Sequence, residues 1–148
     1  MKLSTKGRYG LRAMVDLAVH SSADAVSIKS IAERQQISEN YLEQVFSVLR
    51  KTGLVKSIKG AQGGYILAQE PSKIRVGDVL EVMEGNLEVV ETGDEFQKGN
   101  SLVETVIASQ VWDKINSCIN EVVFSITLQD LVDEYKKRNS DQGYMYYI

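Results

Sequence analysis

The sequence predicts a mainly α-helical protein with one small β-hairpin: a winged helix-turn-helix domain followed by a long dimerisation helix. Three observations carry that prediction. Two short amphipathic patterns, each opened by a serine, lie back to back between Ser27 and Thr52. A basic, glycine-punctuated stretch follows, Lys56-Ser-Ile-Lys-Gly60-Ala-Gln-Gly-Gly64-Tyr65-Ile-Leu67. An apolar stripe of helical period then runs from Leu102 to about Phe124. Apolar residues spaced by three and four mark one buried helical face, whereas short β-prone runs around glycines mark a hairpin.

In chain order, the first helix spans about residues 8 to 21, with Leu11, Met14, Val15, Leu17 and Ala18 inward. His20, near its end, is placed to cap carbonyls or to be solvated. Ser27 and Ser38 start the next two helices, because a serine N-cap accepts a bond from an otherwise unpartnered backbone amide. Gln36-Ile37 leaves room only for a tight turn, so the pair crosses steeply, and Gly53 stands where a left-handed C-cap is usual. On the second of the pair, Tyr41, Leu42, Val45, Phe46, Val48 and Leu49 form the buried face. Asn40, Glu43, Gln44, Ser47 and Lys51 form the opposite, polar stripe. A major groove admits one helix, in which Asn or Gln pairs with adenine and Glu accepts from cytosine. The same stripe also suits the solvated side of an ordinary amphipathic helix.

Leu54 to Ile58 and Tyr65 to Leu67 read as the two strands of a wing, with Lys56 and Lys59 at its end and Gln62-Gly63 in its tip. A purely structural hairpin is the plain alternative. The glycines do not make a phosphate loop, since no Lys-Ser or Lys-Thr ends the run and a strand follows where a helix is needed. Pro71 ends the ribbon, and Ile74 to Gly85 leads through a short strand or turn into a helix that stops at Gly85. These observations divide the chain into a DNA-binding domain at 1–85, a flexible acidic loop at 86–100, and a dimerisation helix, last helix and tail at 101–148. In the third part Val103, Ile107, Val111, Ile115, Ile119 and Val122 repeat along one face, widened by Val106 and Trp112. A stripe this long calls for a second subunit, or for packing against the first helix. Thr127 caps a last helix from Leu128 to about Arg138.

Charge separates the readings better than any motif. Residues 1–75 hold twelve Lys or Arg and six Asp or Glu, net +6, whereas residues 76–148 hold five and fourteen, net −9, within an overall −3. Basic charge gathered in the half with the helix-turn-helix is the footprint of a phosphate-backbone binder. Lys2, Lys6, Arg8, Arg12, Arg50, Lys51, Lys56 and Lys59 are its contributors, and Ser4, Ser27, Ser38 and Tyr41 join the candidate DNA contacts. A winged domain used only for protein association would not need this basic half. The single cysteine, Cys118, excludes internal disulfides and reads as a small buried hydrophobe. With one histidine and one cysteine there is no catalytic constellation and no metal site, so neither an enzyme nor a cofactor is expected. No apolar run reaches the ~20 residues of a membrane span and the basic start lacks a signal segment, which points to the cytoplasm.

Five blocks together resemble the Rrf-two family (the IscR and CymR types) of bacterial winged-helix transcriptional regulators. They are Met1-Lys-Leu-Ser-Thr-Lys-Gly-Arg-Tyr-Gly10, Ser38-Glu-Asn-Tyr-Leu-Glu-Gln44, Leu49-Arg-Lys-Thr-Gly-Leu-Val55, Lys59-Gly-Ala-Gln-Gly-Gly-Tyr65 and Val76-Gly-Asp-Val-Leu-Glu-Val-Met-Glu-Gly85. The resemblance is strong over residues 1–85 and loose over the dimer helix. It implies a homodimer on a palindromic operator, with Ser38, Asn40, Tyr41, Glu43 and Gln44 and the wing near Lys59 on DNA. Iron-sulfur members carry three cysteines in the loop after the helix ending at Gly85; here Asn86 to Asn100 has none. Without thiolates no cluster is expected. The ending Tyr144-Met-Tyr-Tyr-Ile148 is similar to the CymR-type, cluster-free repressors of cysteine metabolism, which work in complex with O-acetylserine thiol-lyase, CysK. That resemblance implies docking of such a partner through Tyr147 and Ile148; a tail folded back on its own dimer is the alternative. A cluster-free member serving another redox or metal response also stays open.

Overall fold

The computed structural model describes residues 2–22, 24–90 and 101–146. Its order is α1 (Thr5–His20), α2 (Ile28–Gln35), α3 (Glu39–Lys51), β1 (Val55–Ile58), β2 (Gly64–Leu67), α4 (Val76–Glu84), α5 (Leu102–Ile107), α6 (Asp113–Ser125) and α7 (Leu128–Tyr146). The expected fold class is the observed one, a winged helix-turn-helix body with a long helix beyond it.

Serine side chains cap four helices, at Ser4, Ser27, Ser38 and Ser101, of which Ser27 and Ser38 were the expected ones. The Ser27 hydroxyl accepts from the Ser30 amide at 3.2 Å and that of Ser38 from the Tyr41 amide at 3.2 Å. The turn between α2 and α3 is closed by Gln36 in a left-handed conformation, φ 56° and ψ 47°, rather than by a glycine. α1 begins at Thr5, three residues earlier than the pattern indicated, capped by Ser4. Gly7 and Gly10 blurred that start. They are there for a close approach: a side chain on Gly7 would run into Glu84, and one on Gly10 into Met83, both on α4. Glu84 in turn accepts from the Ser4 amide at 2.9 Å and from its hydroxyl.

One apolar core gathers Met14 and Leu17 of α1, Ile31 of α2, Leu42, Val45, Phe46 and Leu49 of α3, Val55 of β1, Val79 of α4, and Leu128 and Val132 of α7. Each large side chain fully buried there contributes about 1.5 to 3 kcal/mol, so α3 with four of them is firmly seated. Of the residues expected inward, Leu11 and Val15 on α1 and Tyr41 and Val48 on α3 are only half-buried. A second cluster of Val76, Leu80 and Leu87 packs against Ile119 and Val123, joining α4 to α6.

β1 and β2 form an antiparallel hairpin in the register Val55↔Leu67 to Ile58↔Gly64. A third element was not foreseen: the Val26 amide donates to the Tyr65 carbonyl at 2.9 Å and the Tyr65 amide to the Val26 carbonyl at 2.8 Å. Gly64 permits that pairing, because a Cβ there would meet the Val26 backbone.

The segment from Leu102 to Ser125 is helical throughout, as expected, except that Ala108–Trp112 forms a π-helical turn. It packs mainly on α4, through α6, with Leu11 of α1 bordering the same cluster. α7 starts at its Thr127 cap, whose hydroxyl accepts from the Asp130 amide at 3.1 Å, and continues to Tyr146, eight residues past its expected end. Cys118 is exposed, contrary to the expected buried position, because it sits on α6 away from α4.

Candidate nucleic-acid interface

The candidate reading helix α3 is seated by its apolar face, which leaves Asn40, Glu43 and Gln44 exposed and Ser47 half-exposed. These four line one shallow depression, so the structure brings the predicted stripe together as a continuous polar floor. Lys51 and Arg50 are exposed at the end of α3, and Lys56 and Lys59 on the wing. None of these four cations forms an ion pair among the described residues, so their charge is free to meet phosphate.

Other candidates have local duties. The Ser27 and Ser38 hydroxyls cap helices, and Ser4 both caps α1 and binds Glu84. Tyr41 packs its ring edge-on against Tyr9, 5.6 Å between centroids. Gln62 is exposed at the wing tip, while Gly63 serves the turn, its amide donating to the Gly60 carbonyl at 3.0 Å. Lys2 is exposed before α1, and Arg8 lies along an open cleft between α1, α2 and α7.

Sequence reasoning missed the clamp that fixes α2 against α1. Asp16, 3% exposed, accepts from Arg34 at 2.7 Å and 3.0 Å and from the Gln35 amide nitrogen at 2.8 Å. The Asp16 carboxylate holds the Arg34 guanidinium above its already high ordinary pKa. The His20 ring nitrogen Nδ1 lies 2.9 Å from the Asp16 carbonyl, the helix-end role expected of it. Arg12 donates to the Gln35 carbonyl at 2.6 Å and stacks 5.2 Å over Tyr9, so it braces α2. The available signal was an acidic residue between Val15 and Leu17 in an inward run, since a buried carboxylate requires partners.

On the long helix Val103, Val106, Ile107, Val111, Ile115 and Val122 are exposed, Val103 at 67%. Trp112 and Ile119 are half-buried, Ile119 against the second core cluster. Tyr147, Ile148 and residues 91–100 of the expected acidic loop lie outside the described residues. No described helix is long and apolar enough to cross a membrane.

A sequence profile of the Rrf2 family, described as an iron-dependent transcriptional regulator, matches residues 3–134. The HTH-type transcriptional regulator CymR of Bacillus subtilis is 43% identical over 148 residues, covering all of both chains. Its solved structure, titled CymR (YrzC), the global cysteine regulator of B. subtilis, superimposes with a TM-score of 0.78 at 42% identity, covering 90% of this chain and 98% of that one. A structure titled T. potens IscR gives a TM-score of 0.76 at 50% identity, covering 99% of this chain and 97% of that one. The likeness thus spans both types. Iron held as a thiolate-ligated cluster does not suit this chain's donors: its 148 residues contain one cysteine and one histidine. No three His, Cys, Asp or Glu side chains converge as a metal site among the described residues.

Proposed function

The chain belongs to the Rrf2 family of transcriptional regulators, and from that premise we propose that it is a sequence-specific DNA-binding repressor of cysteine and sulfur metabolism genes. It acts as a homodimer on a palindromic operator, without an iron-sulfur cluster. The observation that carries the DNA reading is the exposed floor of Asn40, Glu43, Gln44 and Ser47 on a helix whose opposite face is locked in the core. Free cations flank that floor on α3 and the wing. Support for the sulfur assignment comes from the likeness to CymR over the whole chain, and support for a cluster-free regulator from the missing thiolates. The proposed switch, complex formation with O-acetylserine thiol-lyase, rests on the resemblance of the Tyr144–Ile148 segment. Deleting Ile148 is expected to weaken that complex, and undiminished binding would sink the docking idea.

Genomic binding-site mapping supplies the operator fragments for the decisive test, anisotropy titration across salt. Affinity is expected to fall steeply with salt, because each neutralised phosphate releases counterion. Glu43→Ala is expected to relax preference at one base pair by about 1 to 3 kcal/mol. Lys59→Ala is expected to weaken all sequences alike and to reduce the salt slope by about one. The reverse pattern would overturn the groove assignment.

A further inference from the structure

α1, α2 and α7 line an open cleft of about 800 Å³ that DNA reading does not explain. Its size lies within the roughly 300 to 1,000 Å³ of small-molecule pockets. Leu11, Val15 and Val19 form one wall from α1, and Leu131 and Tyr135 face them from α7. The half-buried state of Leu11 and Val15, beside fully buried Met14 and Leu17, reflects their opening onto this space.

The polar lining is unbalanced. Four arginines, Arg8, Arg12, Arg34 and Arg138, stand against two acids, Asp16 and Glu134, so the wall carries an excess of two positive charges with His20 neutral. Both acids are already held, Asp16 by Arg34 at 2.7 Å and Glu134 by the Arg138 Nε at 2.8 Å. The Arg138 bond holds Glu134 below the usual carboxylate range, so it stays charged and satisfied at neutral pH. Arg12 faces a backbone carbonyl, and Arg8 reaches only the Thr5 hydroxyl at 3.4 Å. Among the described residues neither of these two has a carboxylate partner. We propose that the cleft binds a small organic anion with a hydrocarbon body, such as a monocarboxylate, its head on Arg8 and its body between the aliphatic walls of α1 and α7. An anion bridging Arg8 to α7 would add to the core contact that already holds α7 on α1. Arg8 is shared with the candidate phosphate contacts, but the site rests on the lining of this cleft and not on the DNA-binding reading.

The test is methyl-resolved NMR of the full chain titrated with octanoate and 4-phenylbutyrate, with octylamine as the cation of matched body. Saturable shifts at the Leu11, Val15, Val19 and Leu131 methyls are expected with the carboxylates and not with octylamine. Arg8→Gln is expected to raise Kd about five-fold, the loss of one charge-assisted contact at a partly exposed site. The proposal is overturned by unmoved methyls at millimolar carboxylate, by equal binding of octylamine, or by an unchanged Kd in Arg8→Gln. Shifts confined to Val103 and Val106 would overturn it too, because the exposed ridge of α5 would then be taking up the hydrocarbon.

Discussion

Asp16 is the residue on which the geometry of the reading unit turns. Its carboxylate is bound by Arg34 and Gln35 of α2 while it stands on α1, so the angle between the two helices is set by three directional bonds as well as by packing. Removing one partner of a buried pair leaves the other desolvated and unmatched. Arg34 keeps a third of its surface in water, which moderates the cost. Asp16→Ala is therefore expected to lower stability by about 2 kcal/mol, read as a shifted urea midpoint, whereas Asp16→Asn should retain part of it. The individual polar residues of α3 were legible because a helix with one apolar face must turn Asn40, Glu43 and Gln44 outward. Asp16 was not, because a single acid in an apolar run announces burial without naming its partner eighteen residues on.

Among the elements, the helix pair was readable from its serine caps and the wing from its glycines, since both signals act locally. What escaped depends on distant neighbours. The pairing of Val26 with Tyr65 adds a strand one residue long, with no periodicity to find. Gly7 and Gly10 look like breakers in isolation and become intelligible only against α4. Gly64→Ala is expected to push Val26 away from the wing and to destabilise the protein by about 1 to 3 kcal/mol. Faster amide exchange at Tyr65 would report the lost pairing, and unchanged exchange would count against the account. Cys118 shows the limit of a stripe on α6: composition placed it inward, yet only the face toward α4 is covered.

For the whole molecule, the basic reading half and the acidic remainder were evident from charge alone, and the long helix from its period. The described chain leaves Leu102, Val103, Val106, Ile107, Val111, Ile115 and Val122 exposed, more apolar surface on one helix than a soluble monomer usually carries. The double substitution Val106→Asp with Ile115→Asp is expected to yield a monomer by sedimentation and to abolish tight operator binding while the circular dichroism stays helical. A dimer persisting in that variant would place the subunit contact elsewhere. The π turn at Ala108–Trp112 gives this surface its direction. A repeat of four residues, as in 103, 107, 111 and 115, outruns a 3.6-residue turn by about 40° at each step and would wind around an ordinary helix. A turn closed from i to i+5 accommodates more residues and rotates the phase back. The wide turn therefore acts as a phase corrector: it keeps Val103 and Ile115, twelve residues apart, on one seam, and closing it into a regular α-helical turn with every residue kept would swing Ile115 about 120° away from Val103.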